Sequence, residues 1–285
     1  MSATSTTDGT IAQAVASGEL PGRVWLYSNY NCNLACSYCL TESSPHSERR
    51  MLTPELMRTV ATEAAALGFS DLGVTGGEPF LLPWLTETVA EMSRSLPVVV
   101  NTNGTLFGGD RLDRVAVLAE SQVALQISLD SHLPEVNDAA RGEDNFRKVI
   151  EAVPRLVEFG VEVRIATTTS GPLDDVALDP LRELVASLGV SADHHVVRPI
   201  VRRGRADDLG IGLQAGARDI PSELTITADG AFWGSFAPTV QNDVLDIDLL
   251  LTRTVLPLSI PAGVLLALLR ADPSGPGSSL GIRCA

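Results

Sequence analysis

Residues 97–127 decide the fold class, and they read PVVVNTNGTLFGGDRLDRVAVLAESQVALQI. Two apolar runs, Val98–Val100 and Val123–Ile127, flank a stretch with helical periodicity. Nearly continuous apolar runs of this length are typical of parallel strands that are buried on both faces. A strand, a helix and a second parallel strand form a right-handed crossover unit, so this stretch predicts an α/β protein.

The same alternation of strands and helices extends from Arg23 to about Ala206. The candidate strands are Val24–Ser28, Asp71–Thr75, Pro97–Asn101, Gln122–Ile127, Val161–Thr167 and His194–Ile200. The candidate helices are Pro54–Leu67, Trp84–Ser95, Arg111–Glu120, Asn145–Phe159 and Pro180–Leu188. An eight-unit barrel takes ~250 residues, so this segment holds about six units and predicts a partial (β/α)6 TIM-like barrel, open on one side. Ligands of such folds bind at the carboxyl ends of the strands.

The ends of several candidate helices carry recognisable signals. Thr53-Pro54 and Asp179-Pro180 have the pattern of an N-cap followed by a proline at the first helical position. Gly68, Gly160 and Gly189 stand where a left-handed glycine commonly ends a helix.

Two smaller parts flank the predicted barrel of residues 23–206. Residues 1–22 begin with a Ser/Thr-rich stretch and are expected to form a flexible N-terminal segment. Residues 207–285 predict a small α+β extension, with a hairpin around Asp229-Gly230 and a short helix at Pro261–Arg270. Asp272–Ser279 is rich in Pro, Gly and Ser and is expected to be mobile.

Composition and charge exclude several classes of protein. The chain has 285 residues, of which 45% are hydrophobic, so it can bury enough apolar surface to fold. Its net charge of -14 disfavours a nucleic-acid partner, because binding to phosphates needs Lys and Arg. Met1–Thr10 lacks the pattern of a secretory signal, and the apolar stretch Val255–Leu269 is too short to span a bilayer. The sequence therefore predicts a cytoplasmic protein with no membrane partner.

Three of the four cysteines, Cys32, Cys36 and Cys39, lie on one loop directly after the first strand. Clustered thiols without distant partners indicate metal ligation in a reducing compartment. Three thiolates on a four-iron cluster leave one iron open to a ligand that is not protein. A zinc site completed by His46 or His194 is the alternative, although zinc ligands usually come in paired spacings.

The CxxxCxxC loop after the first strand resembles that of the radical S-adenosylmethionine (radical SAM) superfamily. The resemblance implies a [4Fe-4S] cluster on Cys32, Cys36 and Cys39 and a bound S-adenosylmethionine. In that family one electron from the cluster cleaves S-adenosylmethionine to methionine and a 5′-deoxyadenosyl radical, which abstracts hydrogen from the substrate. A flavodoxin or ferredoxin-type electron donor is implied as a partner.

Two further motifs follow the second and third strands, in the order found in that family. Gly76-Gly77-Glu78-Pro79 matches the family's GGEP, and by resemblance Gly76, Gly77 and Glu78 bind the methionine amino group. Thr102-Asn103-Gly104 matches a common TNG, which makes Asn103 a candidate contact. Either motif, taken alone, also fits an ordinary turn.

The fourth strand ends in Ser128-Leu129-Asp130, and alternation places Ser128 and Asp130 on one side. By resemblance they meet the carboxylate or ribose of S-adenosylmethionine. Arg141 ends a segment similar to the family's HDxxRG, in which Asn137 replaces the usual histidine. The resemblance pairs Arg141 with the carboxylate; otherwise it is a surface residue where a helix starts. Tyr38 matches an aromatic position beside adenine, and its alternative is a place in the core.

The C-terminal part resembles members that carry a SPASM or twitch domain, but it departs from them. Arg198-Pro199 through Ala206 matches an RPxxRRGRA stretch. Ser235 stands where the hairpin of such domains has a cysteine, so the ligands for auxiliary clusters are missing. Arg198, Arg202, Arg203 and Arg205 could recognise a carboxylate or phosphate, or could form ion pairs with the acidic stretch at 206–210.

The resemblance therefore predicts a radical SAM enzyme that modifies a peptide or a natural-product intermediate. The alternatives are a radical SAM enzyme acting on a small sugar, nucleoside or amino acid, and a non-catalytic metal-binding protein that binds a partner. Catalytic residues beyond the cofactor ligands are not predicted, except that Cys284 is a candidate hydrogen donor. A thiol S–H bond is weaker than most C–H bonds, but terminal residues are often inert.

Overall fold

The computed structural model describes residues 6–171, 175–216, 219–236 and 238–271. The helices are α1 (Thr6–Ala16), α2 (Pro54–Ala66), α3 (Leu85–Met92), α4 (Asp110–Val115), α5 (Pro134–Arg141), α6 (Asn145–Glu158), α7 (Asp175–Ser187), α8 (Arg205–Asp208) and α9 (Ser259–Ala271). The strands are β1 (Arg23–Tyr27), β2 (Asp71–Thr75), β3 (Val98–Thr102), β4 (Val123–Ser128), β5 (Glu162–Thr169), β6 (His195–Pro199), β7 (Leu224–Thr227), β8 (Gly230–Trp233), β9 (Thr239–Gln241), β10 (Val244–Asp246) and β11 (Leu250–Thr252).

The first six strands form the predicted partial barrel. They pair in chain order, β1 through β6, and every pair is parallel. The full sheet has nine strands in the order β11-β8-β7-β1-β2-β3-β4-β5-β6. Because β6 and β11 stand at its two ends, the sheet is open, and the expected α/β class and open TIM-like barrel are confirmed.

Side chains alternate between the two faces of the sheet. Val24 and Leu26 of β1 pack with the residues of the surrounding helices, whereas Trp25 between them joins a separate apolar cluster on the other face. That second cluster includes Phe232 and Phe236 from the C-terminal part. Gly73 on β2 leaves room for the Trp25 ring, since a Cβ at this position would lie 2.2 Å from it.

The parallel register brings the loops that follow β1 to β4 to one edge of the sheet. Tyr27 pairs with Thr75, Thr102 with Ile127, and Ser128 with Ala166. The cysteine loop, the GGEP loop, the TNG turn and the segment after Ser128 therefore leave the barrel at its carboxyl end, as the sequence predicts.

Most of the predicted helix ends are confirmed, one is wrong, and one predicted helix divides into two segments. Thr53 caps α2 by accepting a hydrogen bond from the Leu56 amide, and Gly68, Gly160 and Gly189 have φ values of 85°, 82° and 84°. Pro180, however, lies inside α7, which begins five residues earlier at Asp175. The predicted helix Arg111–Glu120 divides into α4 and a 3-10 segment at Ala116–Glu120.

The expected flexible segment at 1–22 is wrong for the part that is described. Residues 6–16 form α1, which buries Ile11 and Ala14 and packs against α9. Leu20 is also buried, and Glu19 pairs with Arg270 at 2.6 Å. This segment is rich in Ser, Thr and Gly, so the short apolar stripe by which the helix packs is difficult to recognise in the sequence.

The C-terminal part adds strands to the barrel sheet. β7 pairs in parallel with β1, and β8 pairs antiparallel with β7, which confirms the predicted hairpin. β9 and β10 form a separate two-stranded sheet. Asp272–Ser279, expected to be mobile, lies outside the described residues. Among the described helices, none is both long and apolar enough to cross a bilayer.

Candidate active site

Nine of the predicted site residues line one cleft at the carboxyl ends of the strands. They are Cys32, Cys36, Tyr38, Cys39, Gly76, Gly77, Asn103, Ser128 and Arg141. Cys32 is buried, while Cys36 and Cys39 are partly exposed. Of the two other predicted cofactor-binding residues, Asp130 lines a neighbouring cavity, and Glu78 lies beneath the cleft in the core.

The three thiols of the cleft fit an iron–sulfur cluster by their chemistry. Burial raises the pKa of Cys32 to about 12, with the negative charge of Glu78 as the second cause. Burial likewise raises the pKa of Cys36 to about 11, although the Arg141 cation opposes the shift. Thiolates in this site need a positive partner, and the irons of a cluster supply one.

The zinc alternative does not fit the arrangement. No three His, Cys, Asp or Glu side chains among the described residues are grouped so as to hold a single metal ion. His194 directly precedes β6, so it lies at the opposite end of the barrel from the cysteine loop. His46 lies on the cysteine side but is exposed. A zinc ion needs its ligand atoms within about 2.0–2.3 Å of one point.

The GGEP loop is held against the cysteine loop by its backbone. The Gly77 amide donates to the Asn29 carbonyl at 2.7 Å, and the Glu78 amide donates to the Asn31 carbonyl at 3.1 Å. A Cβ on Gly77 would lie 2.3 Å from the Asn31 carbonyl oxygen. Only glycine allows this approach, so one function of the motif is to set the path of the chain that enters the cysteine loop.

The Glu78 carboxylate binds the neighbouring loop and does not face the cleft. It is fully buried and accepts hydrogen bonds from the amides of Phe80 at 3.0 Å and Asn103 at 2.8 Å. The Thr102 hydroxyl donates a third bond at 2.8 Å. Burial raises the pKa of Glu78 to about 7 in spite of these donors. The carboxylate therefore joins the loops after β2 and β3, a positioning role that the resemblance did not include.

Asn103 points its side-chain amide at the first cysteine. Its Nδ2 lies 3.7 Å from the Cys32 sulfur and donates to the Asn33 Oδ1 at 2.9 Å. Its Oδ1 accepts a hydrogen bond from the Thr105 amide at 3.0 Å, which fixes the orientation of the group. Hydrogen bonds to sulfur are one of the means by which proteins adjust cluster potentials.

Asp130, Arg141 and the partly exposed Tyr38 form a polar cluster at the side of the cleft. Arg141 donates to the Asp130 carboxylate through Nε at 2.7 Å and Nη2 at 3.2 Å. The Tyr38 hydroxyl also donates to Asp130, and the Thr168 amide donates to it at 2.9 Å. Arg141 is only 5% exposed, so the interpretation of this arginine as a surface residue is wrong. Burial raises the pKa of Tyr38 well above its usual value.

Asn137, which replaces the histidine of the family's motif, supports this cluster from below. It is fully buried, accepts a hydrogen bond from the Asp130 amide at 3.0 Å and donates to the Asn145 side chain at 2.8 Å. Sequence reasoning treated Asn137 only as a departure from a pattern. Asn137 and Asn145 are eight residues apart, on α5 and α6, and nothing in that spacing predicts their contact.

The cleft continues into a second cavity of about 160 Å³ between the barrel and the C-terminal part. Tyr38, Cys39, Gly76 and Thr168 line both spaces, so the two are contiguous. Ser235, Phe236 and Pro238 also line the second cavity. Ser235 is 8% exposed, and its hydroxyl has no hydrogen-bond partner among the described residues. A pocket that includes the C-terminal part was not predicted from the sequence.

Three arginines of the RPxxRRGRA stretch donate hydrogen bonds to other groups of the protein. Arg202 donates to the Gly210 carbonyl at 2.8 Å, and Arg203 pairs with Asp248 at 2.6 Å. Arg205 donates to carbonyls of the cysteine loop. Neither predicted interpretation, a ligand-binding patch or ion pairs with 206–210, describes these three. Arg198 lines both cavities. Cys284, the candidate hydrogen donor, lies outside the described residues.

A partial barrel with three thiols at its carboxyl edge is the structural feature to compare with known families. The family model of the Radical SAM superfamily matches residues 26–188, more than half of the chain. The chain belongs to the radical SAM superfamily. Members of this superfamily use a [4Fe-4S] cluster and S-adenosylmethionine, and the family is catalytic.

Curated relatives cover part of the chain. The mycofactocin maturase MftC of Mycobacterium tuberculosis is 29% identical over 188 residues, which are 65% of this chain and 46% of MftC. The GTP 3′,8-cyclase of Aquifex aeolicus is 29% identical over 169 residues, which are 56% of this chain and 51% of the cyclase. The chain thus spans about half the length of the curated relatives it matches.

Solved structures share the fold. Streptococcus suis SuiB bound to its precursor peptide SuiA superposes with a TM-score of 0.56 at 16% identity, over 74% of this chain and 47% of SuiB. The structure of SuiB bound to S-adenosylmethionine gives the same TM-score at 18% identity, over 73% of this chain and 47% of SuiB.

Proposed function

We propose that this protein is a radical SAM enzyme that abstracts hydrogen from a side chain of a peptide. The observation that carries the proposal is the continuity of the three-thiol cleft with the small second cavity. Cys32, Cys36 and Cys39 would hold three irons of the cluster, leaving the fourth for S-adenosylmethionine. When bound, the cluster supplies the electron that cleaves S-adenosylmethionine to methionine and a 5′-deoxyadenosyl radical.

The side chains around the cleft bind and orient the cofactors. Gly76 and Gly77 leave backbone exposed where a methionine group would approach, and Asn103 lies against Cys32. Arg141 borders the cleft and, through its ion pair with Asp130, fixes the wall beside the cofactor. Tyr38 borders this cleft and both adjoining cavities, so it would contact both the cofactor and the substrate.

The lining of the second cavity favours a side chain of a peptide as its occupant. Phe236 and Pro238 supply apolar walls, and Ser235 supplies one hydroxyl that has no hydrogen-bond partner among the residues that the structure describes. A side chain of a longer peptide matches this lining, to which Arg198 adds a polar group. SuiB, which shares the fold, is solved with a peptide bound, and this supports the same class of substrate here.

A nucleotide is the second candidate, because one set of relatives consists of GTP 3′,8-cyclases. A triphosphate needs several cations that are available for bidentate contacts. Arg202, Arg203 and Arg205 each donate to protein acceptors, and the net charge is -14. The structure therefore supports the peptide better.

We place the enzyme in the cytoplasm, where its thiols stay reduced and a flavodoxin or ferredoxin-type donor can supply electrons.

The test begins with anaerobic reconstitution of the full chain. Wild type should bind about four iron atoms per chain, the count for one [4Fe-4S] cluster. With dithionite and S-adenosylmethionine it should form 5′-deoxyadenosine, whereas a variant with all three loop cysteines changed to alanine should form none. Absence of 5′-deoxyadenosine from the iron-loaded wild type would contradict the proposal.

A second measurement separates the two substrate classes. Synthetic peptides encoded by genes beside this one, and GTP, are compared as stimulants of 5′-deoxyadenosine formation. The peptide proposal predicts stimulation by a peptide together with a mass change in that peptide. Stimulation by GTP alone would favour the nucleotide.

A further inference from the structure

Arg205 binds the cysteine loop from the C-terminal side of the barrel. Its Nη1 donates to the Cys36 carbonyl at 2.7 Å, and its Nη2 donates to the carbonyls of Glu42 and of Ser43, the latter at 2.7 Å. Its own backbone amide donates to the Cys39 carbonyl at 3.1 Å. One residue thus satisfies four carbonyls across residues 36–43, a stretch that contains two of the three cysteines.

Gly204 brings Arg205 into this position. Its φ is 56°, a left-handed conformation that favours glycine. A Cβ here would lie 2.4 Å from the Leu40 carbonyl oxygen and 2.6 Å from that of Cys39. The backbone of residues 204–205 therefore lies directly against the cysteine loop, and a side chain at 204 would push the two apart.

The same face of the loop contacts β9. The Val240 amide donates to the Leu40 carbonyl at 3.1 Å. Arg203, next to Gly204, is anchored in the opposite direction by Thr239 at 2.7 Å and by Asp248 at 2.6 Å. The C-terminal part thus fixes the segment from which Arg205 reaches the loop.

We propose that Arg205 is a positioning residue for the cluster ligands Cys36 and Cys39. Its guanidinium fixes the backbone that carries the two thiols, and its positive charge stands beside the site that the cluster would occupy. This inference rests on the proposed function, because it concerns the same cluster. Arginine is suited to the task, since its planar fork donates to several acceptors at once and keeps its charge when buried.

Two properties distinguish positioning of the cluster from a merely structural role. Removal of a nearby positive charge disfavours the reduced cluster, so its reduction potential should become more negative. Loss of the fork should loosen the loop, so a chelator should remove iron faster. Arg205→Gln removes both the charge and the fork, while Arg205→Lys keeps the charge and loses the fork.

The experiment compares wild type, Arg205→Gln, Arg205→Lys and the control Arg202→Gln, all as full chains reconstituted anaerobically. Arg202 is matched because it also donates to a backbone carbonyl, but on the turn at Gly210. We expect both Arg205 variants to lose iron to a chelator several-fold faster than wild type. Only Arg205→Gln should shift the potential to more negative values and change the electron paramagnetic resonance spectrum of the reduced cluster. Arg202→Gln should behave as wild type.

The outcomes separate this inference from the proposed function. A wild type that does not take up about four irons per chain contradicts the proposed function. A normal wild type with unchanged iron loss, potential and spectrum in Arg205→Gln overturns the role of Arg205 alone. Equal effects in Arg202→Gln also overturn it, because they indicate a general loosening of the segment. If Arg205→Gln does not fold, as judged by circular dichroism, Arg205→Lys decides through its rate of iron loss.

Discussion

Arg141 and Asp130 form a two-bond ion pair, at 2.7 and 3.2 Å, between side chains that are 6% and 7% exposed. The resemblance assigned both residues to S-adenosylmethionine, whereas the structure joins them to each other. A buried pair of this kind is held in place by its further partners, and here Tyr38 and the Thr168 amide supply them. The pair thus fixes the wall of the cleft on the side of β4 and β5.

The Arg141→Ala variant should have a lower free energy of unfolding than wild type, even in the absence of cofactors. The change leaves the Asp130 carboxylate buried without its cation, which costs about 3–5 kcal/mol in comparable pairs. Urea unfolding of the metal-free chain measures this effect. The double variant Asp130→Asn, Arg141→Met leaves no buried charge and should recover much of the loss. An unchanged unfolding midpoint in Arg141→Ala would contradict the structural role of the pair.

Gly77→Ala should prevent the docking of the GGEP loop on the cysteine loop. The added Cβ would meet the Asn31 carbonyl oxygen at 2.3 Å, and backbone cannot move aside as a flexible side chain can. We expect reduced iron uptake on reconstitution together with a lower melting temperature. Gly108→Ala is the matched control, because a Cβ there meets nothing within 4 Å. Equal iron contents in the two variants would show that the close approach is not required.

The barrel could be predicted from the sequence because its signals are local. Apolar runs, glycines at helix ends and the proline after Thr53 act over a few residues, and the structure confirms their positions within one or two residues. Pro180 shows the limit of such signals. The Asp-Pro pattern suggests a helix start, but Pro180 is the sixth residue of α7, so the pattern does not exclude helical residues before it.

The cleft could be predicted only as a set of loops at one edge. Contacts between loops depend on side chains distant in sequence, such as Arg205 and Cys36, which are 169 residues apart. Likewise, the positive charge of Arg202, Arg203 and Arg205 suggests a ligand-binding patch until their acceptors are known. The pairing of β7 with β1 also has no local signal, because the sequence pattern of a strand does not indicate which strand it pairs with.

Ser235→Ala should stabilise the protein and weaken its response to substrate. The Ser235 hydroxyl is buried and has no hydrogen-bond partner in the described part of the chain, and removal of such a group should raise the free energy of unfolding by about 1 kcal/mol. Ser222 is the matched control, because its hydroxyl is also buried with no partner among the described residues, but it does not line the second cavity. Urea unfolding should show a similar gain for both alanine variants. Only Ser235→Ala should lower the formation of 5′-deoxyadenosine that a peptide stimulates, and equal responses would remove Ser235 from the substrate site.

His195 on β6 should make the stability of the protein depend on pH. Burial lowers the pKa of His195 below its usual 6.5, and the nearby Arg182 cation adds to the shift. The Thr167 hydroxyl donates to the Leu129 carbonyl at 2.7 Å, so the His195 Nε2, 2.9 Å from that hydroxyl oxygen, acts as the donor to it. The neutral ring already carries the Nε2 proton that this hydrogen bond needs. A second proton adds charge to the ring but no further hydrogen bond to Thr167.

The direction of the pH effect follows from linkage. The pKa of His195 is lower in the folded chain than in the unfolded chain. As pH falls below about 6.5, the unfolded chain therefore takes up more protons than the folded chain, and the free energy of unfolding decreases. In His195→Gln this loss should be smaller, since an amide does not titrate but can still donate to Thr167. Unfolding midpoints measured at a series of pH values give the slopes, with His46→Gln, which removes an exposed imidazole, as the control. A slope in His195→Gln as steep as that of wild type would show that the ring does not carry the effect.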